Sequence, residues 1–321
     1  MTLRSVDTIV VGGGPAGSSA ARELVRAGRS CLVLDRKPMP RLKLCGGWIT
    51  QKVLADLDFQ PADYPHGIIP LARIRFYVGR RRRWSCEVPT GQYSIRRIEF
   101  DAWLMERSGA ELVEHTVRSI ERDNGDFVID GSFRTRHLIG AGGTNCPVKK
   151  AFFAPDQGEL IVAQEVEFET TPRHPVCTLW FPYAGAFGYA WYVPKAGAVN
   201  VGFGGLRKHN ESWDKQQLWR DFVRLLHDTG CIDQEPPPPK GYSYYIGHRR
   251  KTVRCERAYI VGDAAGLATM DLAEGIGPAI ESGQLAARDI LGQATYSTKS
   301  ITRHSLPWSF RLLRNAVGWI P

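Results

Sequence analysis

Residues 7–28, DTIVVGGGPAGSSAARELVRAG, constrain this chain more than any other segment. DTIVV is short, apolar and β-branched, the pattern of a buried strand. SSAARELVRAG predicts a helix that ends at Gly28. Between them, Gly12, Gly14 and Gly17 form Gly-x-Gly-x-x-Gly, with Pro15 and Ala16 inside the turn. The first glycine permits a tight turn, the second lets backbone approach a pyrophosphate, and the third lets the helix pack on the sheet. The helix N-terminus then presents free N–H groups and a positive dipole to phosphate. CLVLD, residues 31–35, completes a βαβ unit. Its last residue, Asp35, stands 23 positions after Gly12, the spacing of a carboxylate that bonds a ribose hydroxyl. Such a charge-assisted bond contributes about 1.5–3 kcal/mol. An ordinary glycine turn would not require strand, helix and Asp35 in register, so a dinucleotide site is expected.

The remaining chain reads as the same kind of domain interrupted by β-rich material. The 321 residues allow two domains, or one with an insertion. Residues 70–88 alternate around Gly79 like a hairpin, and 99–108 predict a short helix. ELVEHTVRSIER, an Asn124-Gly125 turn, DFVID and RTRHLIGA predict an antiparallel meander. The stretch 160–205 is strand-rich. Trp213 to Leu226 is amphipathic and helical, ending at Gly230, and Glu235 with prolines 236–239 predicts a connection between lobes. AYIVGD (258–263) is another buried strand, followed by a helix from about Gly277 to Gln293. The expected fold class is α/β: a Rossmann-like cofactor-binding domain (1–68, 96–155 and 250–295) with an inserted β-rich substrate domain (69–95 and 156–249) and a short helical tail (296–321).

Composition excludes several classes. At 43% hydrophobic and 23% charged, the chain is neither a disordered tail protein nor a fibrous repeat. The seven cysteines form no C-x-x-C pair and predict reduced thiols, with neither a disulfide frame nor a metal site. The N-terminal apolar run is too short for a signal peptide. The uncharged stretch from His174 to Pro194 is long enough to span a bilayer, but its prolines and glycines predict buried strands and turns. The net charge of +9 points to anionic partners. Arg80–Arg83 sit beside a hairpin turn with no recognition module, so no nucleic-acid partner is expected.

A second signal narrows the dinucleotide. RAYIVGDAAG delivers Gly262 and Asp263 from a buried strand into a turn among small residues. A carboxylate there can accept a hydrogen bond from a flexible polyol, which FAD has and NAD lacks. A turn-stabilising aspartate is the structural alternative. With the N-terminal glycine turn, this element resembles the FAD-dependent oxidoreductases of the aromatic-hydroxylase superfamily. The resemblance implies that Asp263 binds the ribityl chain and that Arg97, in R-I-E-F-D-A-W-L with Phe100, Asp101 and Leu104, helps hold FAD; by itself Arg97 reads equally as a helix cap. It implies the same cofactor for Arg36, Gly46 and Gly275-Ile276. The middle superfamily motif, normally Ala-Asp-Gly, departs: here it is Gly140-Ala141-Gly142-Gly143. The absent carboxylate and the lack of a second nucleotide fingerprint leave NAD(P)H and a reduced carrier protein both open as electron donor.

Two further stretches resemble the geranylgeranyl reductase family. KLCGGWIT places Lys43 and Cys45 beside two glycines, and the family has a C-G-G element near the flavin. YAWYVPKAGAVNVGFG supplies Tyr189, Trp191, Pro194, Gly202 and Gly204, the family's Y-x-W-x-F-P-x(7–8)-G-x-G signature of the lipid pocket. Val193 replaces the phenylalanine, and Ala186 stands where the fuller signature has proline. The resemblance implies an FAD-dependent reductase of carbon–carbon double bonds in an isoprenoid or other apolar small molecule. Trp180, Phe181, Tyr189, Trp191 and Phe203 supply apolar material, and Tyr189 and Trp191 fall on one strand face. Cys45 is the candidate catalytic residue, assisting the proton step; an inert buried thiol is the alternative. A flavin-dependent monooxygenase is the other reading, or a halogenase, although Tyr189 stands where the halogenase signature has its first tryptophan. Against the family pattern the chain stops soon after the helix that follows Asp263, which would leave the pocket more open. The expected location is the cytoplasm, with Arg80–Arg83 and the basic, aromatic C-terminus suited to peripheral contact with the inner membrane surface.

Overall fold

The structure is a computed structural model and describes residues 3–79, 84–155, 158–183, 188–209, 214–247, 250 and 252–305. The chain opens with β1 (Arg4–Val11), α1 (Pro15–Arg26) and β2 (Cys31–Asp35), the expected βαβ unit. Next come β3 (Trp48–Ile49), α2 (Gln51–Leu57), β4 (Ile69–Val78), β5 (Trp84–Ser94) and α3 (Arg97–Ser108). β6 (Glu111–Glu114) precedes the meander β7 (Ile120–Asp123), β8 (Asp126–Ile129) and β9 (Phe133–Gly140), and then α4 (Pro147–Phe152). The strand-rich stretch holds β10 (Glu159–Glu169), β11 (Cys177–Phe181), β12 (Gly188–Lys195) and β13 (Ala198–Leu206). α5 (Lys215–Asp228), β14 (Lys240–Ile246), β15 (Arg254–Cys255), β16 (Ala258–Ile260) and α6 (Ile276–Ile290) complete the order.

The fold is α/β and divides into two units. The first comprises the chain up to Leu42, Ile98–Gly158 and Tyr244–Ser305; the second comprises Lys43–Arg97 and Glu159–Ser243. The first unit carries the sheet β15-β16-β9-β1-β2-β6, with β7 and β8 continuing from β9. β1 lies in its middle, parallel to both β2 and β9. Parallel strands are covered on both faces, which is why IVV (9–11), LVL (32–34) and YIV (259–261) are unbroken apolar runs. Ile9, Val10, Val33, Leu34, Leu138 and Ile260 are completely buried.

The second unit is built on the sheet β14-β10-β13-β12-β11-β4-β5-β3. α5 covers one face, where Phe222, Leu225 and Leu226 pack on Trp180, Ala190, Tyr192, Val201 and Phe203. Asp214 starts this helix by accepting hydrogen bonds from the amides of Gln216 and Gln217; Trp213, expected inside it, lies outside the described residues. Several boundaries differ from the sequence expectation: Tyr244–Gly247, expected in the substrate domain, and residues 296–305, expected in the tail, belong to the first unit. Lys43 to residue 68 was expected with the cofactor domain, but Trp48 and Ile49 pair with Ser94 and Tyr93, which ties this segment to the second sheet. The proline run after Glu235 joins α5 to β14 within the second unit rather than separating the lobes. No helix among the described residues is long and apolar enough to cross a membrane; residues 174–194 contribute β11 and β12 instead.

Candidate cofactor and substrate site

In the first unit, β1 ends at Val11 and the chain turns at Gly12, whose φ of +111° disfavours any side chain. A Cβ at Gly12 would also lie 2.4 Å from the Ala141 carbonyl oxygen, and one at Gly17 would lie 1.9 Å from the Gly12 oxygen. Both glycines are therefore demanded by packing. Gly14 is the N-cap of α1, Pro15 is its first residue, and no side chain caps it. The orphan N–H groups of that first turn form an anion-accepting end. Ala16 packs inside the unit: a Cβ at Gly283 of α6 would come within 2.1 Å of its carbonyl oxygen.

Asp35, at the end of β2, is only 7% exposed. Its Oδ2 accepts the Gly13 amide at 2.8 Å and its Oδ1 accepts the Lys37 amide at 3.1 Å. Thus the carboxylate first orders its own glycine turn. Arg41, absent from the sequence reading, lies 3.5 Å from Asp35 and 3.5 Å from the fully buried Asp101. Arg36 is exposed. The Gly140–Gly143 stretch begins at the last residue of β9, and the Ala141 amide donates to Val11 O at 2.8 Å, so backbone supports the Gly12 turn there.

Asp263 lies in a single helical turn after β16. No hydrogen bond from the described residues reaches its carboxylate. Gly275, the N-cap of α6, sits beside it: a Cβ there would be 3.3 Å from Asp263 Oδ1. Ile276, the first residue of α6, is buried at 2% exposure. Glu274 Oε1 accepts the Gly277 amide at 2.9 Å, and burial pushes its carboxyl up to about 7. These features fit a dinucleotide with a polyol: an uncapped helix end, two glycines with no room for Cβ, and a carboxylate with open acceptor sites.

The second unit holds the other predicted residues. Arg97, 7% exposed, begins α3 at the edge of this unit. Cys45 is half-buried, and its Sγ accepts the Gly47 amide at 3.4 Å. A Cβ at Gly46 would have only Val193 nearby, at 3.8 Å. Pairing puts Leu179, Trp191, Gly202 and Glu165 side by side on the sheet face opposite α5. Tyr189, Gly204 and Ala163 form the next row on that face, and Val193, Asn200 and Glu167 the row beyond. Gly202 leaves space that Trp191 Cζ2 and Glu165 Cβ occupy, at 2.6 and 2.5 Å from where a Cβ would be. Pro194 follows on β12, and the Ser94 hydroxyl donates to its carbonyl at 2.5 Å.

The aromatic residues separate by face. Phe76 and Phe181 stack at 6.1 Å, Phe181 meets Tyr189 at 4.9 Å, and Tyr189 meets Trp191 at 5.5 Å, which makes a continuous run of rings. Trp180 and Phe203, expected as pocket material, are on the other face against Phe222. Strand alternation forces this, because each is one residue out of step with its neighbour on the wall. The wall also carries charges that sequence reasoning missed. Trp191 Nε1 donates to Asn200 Oδ1 at 2.7 Å. Glu165 is fully buried, accepts the Tyr242 hydroxyl at 3.2 Å, and is pushed by burial up to about 7 despite nearby Lys195 and Lys43. The signal was present as alternating glutamates in VAQEVEFE and a lone lysine ending YAWYVPK. Ala186, Arg80–Arg83 and residues 306–321 lie outside the described residues.

Residues 10–71 match the NAD(P)-binding Rossmann-like domain family. The chain is 30% identical to a geranylgeranyl diphosphate reductase of Rhodobacter capsulatus, over 88% of this chain and 74% of that protein. The crystal structure of a geranylgeranyl bacteriochlorophyll reductase-like protein from Thermoplasma acidophilum is similar in fold, with a TM-score of 0.76 and 20% identity over 98% of this chain and 84% of that one. A flavin-dependent brominase shares the fold at a TM-score of 0.73 and 17% identity, over 98% of this chain and 84% of its own.

Proposed function

The chain belongs to the geranylgeranyl reductase family of FAD-dependent oxidoreductases, and from that membership we propose that it reduces carbon–carbon double bonds of an isoprenoid, or another apolar substrate, with hydride supplied by reduced flavin. The first unit is the FAD-binding domain in this reading, and the second holds the substrate. The α1 N-terminus with Gly12, Gly14, Pro15, Ala16 and Gly17 takes the pyrophosphate, Asp35 and Arg36 the ribose end, and Asp263 the ribityl chain. Cys45, Gly46, Arg97, Gly262, Gly275 and Ile276 complete the proposed cofactor contacts.

The observation that carries the proposal is the run of rings Phe76, Phe181, Tyr189 and Trp191 on one sheet face. It offers an extended apolar surface along which a prenyl chain is oriented. Tyr189, Trp191, Pro194, Gly202 and Gly204 are its proposed substrate contacts. Cys45 supplies the proton that completes saturation of the bond, its sulfur held by the Gly47 amide. NAD(P)H or a reduced carrier protein recharges the flavin.

The test is anaerobic. Photoreduced enzyme mixed with a polyprenyl diphosphate should regain oxidised-flavin absorbance while the product gains two hydrogens. Product that forms only with oxygen, hydroxylated or halogenated, would replace the reductase reading with the oxygen-dependent one.

A further inference from the structure

The Cys45-Gly46-Gly47 segment is held at three points in the second unit. The Gly47 carbonyl accepts the Ile95 amide at 2.8 Å, and the Gly47 amide donates to Cys45 Sγ. The third point is Lys195, at the end of β12. Its ammonium donates to the Cys45 carbonyl at 3.2 Å and to Glu167 Oε2 at 2.5 Å. Lys195 is 0% exposed and Glu167 is 8% exposed at the side chain. Lys195 reaches Glu167 from β12 across the intervening strand β13, where the facing residue is Ala198. Arg96 Nε also donates to Glu167, at 3.2 Å. The fit is close: Gly47 has φ +68°, and a Cβ there would lie 2.1 Å from Ile95 O and 2.7 Å from Lys195 Nζ.

A buried ammonium is costly unless paired and fully hydrogen-bonded. An apolar residue at this strand end would fill the space without that cost. Besides Glu167, the acceptor of this ammonium among the described residues is a backbone carbonyl, that of the proposed proton donor. Because a trans peptide points its C=O and N–H in opposite directions, fixing the Cys45 carbonyl also fixes the direction of the Gly46 amide. That amide has no hydrogen-bond partner among the described residues.

We propose that Lys195, anchored by Glu167, is a positioning residue that holds the Cys45–Gly46 peptide and thereby the Cys45 thiol in its working orientation. The proposal rests on the reductase reading for what the thiol does, but not for whether the clamp exists. Lys195 itself moves no proton and touches no substrate.

The test uses the full-length holoenzyme and the double variant Lys195→Met/Glu167→Gln, which removes both charges of the Lys195–Glu167 pair together. Iodoacetamide labelling followed by peptide mass spectrometry gives the rate at Cys45 relative to the exposed Cys86. That ratio should rise several-fold in the variant while bound FAD is retained. In anaerobic turnover kcat should fall by about 10²-fold, the scale of a misplaced reacting group, with KM within about twofold. An unchanged labelling ratio, or an unchanged kcat, overturns the assignment. Hydrogen exchange on the wild type guards against a variant that does not fold. Read amide by amide, Gly47, which donates to Cys45 Sγ, should be protected in the wild type, and unprotected exchange there also overturns the clamp. A wild-type enzyme that saturates no isoprenoid would remove the reductase reading, while labelling and exchange would still decide the clamp.

Discussion

Glu165 is a residue where solvent and protein disagree about charge. Burial raises its carboxyl to about 7, against the opposing pull of Lys195, Lys43 and the Tyr242 hydroxyl, and Glu167 raises it further. The folded state therefore binds a proton that the unfolded chain releases above its ordinary value of 4.5. Stability from this group is greatest at low pH and declines as pH rises to about 7, then stays flat. Between about pH 5 and 8 the wild type should lose about 2–3 kcal/mol that Glu165→Gln does not lose. Urea unfolding of both proteins at the two pH values measures that difference, and parallel curves would mean that Glu165 is ionised in the fold throughout. Asp263 is the opposite case, a carboxylate with no protein partner among the described residues. Asp263→Ala should leave the melting temperature of the FAD-free protein unchanged and weaken FAD binding by about 10-fold or more, as loss of a charge-assisted bond implies; equilibrium dialysis reads it. Asp263 could be found from sequence because a strand-Gly-Asp turn is a local pattern. Glu165 and Lys195 could not, because their meaning comes from strands that the sheet brings together, with Lys195 lying 28 residues from its partner Glu167.

Elements repeat this contrast between local and distant causes. β1, α1 and β2 were legible because apolar periodicity, glycine spacing and strand length all act within 35 residues. The face assignment of the second sheet was legible only in part. Alternation puts Tyr189 and Trp191 on one face, but nothing local says which face α5 covers, so sequence alone does not separate Trp180 and Phe203 from the wall. Their true setting gives a clean prediction. Phe222 of α5 is 0% exposed and meets Trp180, Tyr183, Phe203 and Trp219. Phe222→Ala should cost about 3–5 kcal/mol in thermal or denaturant unfolding. Its effect on KM for a prenyl substrate should be small, because that cluster lies on the covered face. Tyr189→Ala should do the reverse, raising KM with little change in stability. If Phe222→Ala raised KM at unchanged stability, the two faces would have to be exchanged.

At the scale of the whole molecule, the charge becomes an argument about where an apolar substrate is met. Lys and Arg outnumber Asp and Glu by 42 to 33. Many of the described cations are committed to ion pairs, such as Arg4 with Glu111, Arg75 with Glu87 and Arg254 with Asp289. Arg80–Arg83 are followed directly by Trp84, which begins β5 with 76% of its surface exposed. A tryptophan next to a basic run is the composition of an interfacial anchor, the indole in the headgroup layer and the cations over anionic lipid. Each cation near such a surface contributes about 1 kcal/mol at physiological ionic strength. Sedimentation with vesicles containing phosphatidylserine should therefore retain the protein at low salt and release it at high salt. Replacing Arg80–Arg83 by glutamine should weaken retention by about 10²-fold or more while FAD binding is unaffected. Trp84→Ala should weaken it less, and independently of salt, because that residue contributes apolar burial and no charge. Equal retention of wild type and variants, or binding to neutral vesicles alone, would leave the basic excess without a membrane role and the dinucleotide phosphates as its anionic partner.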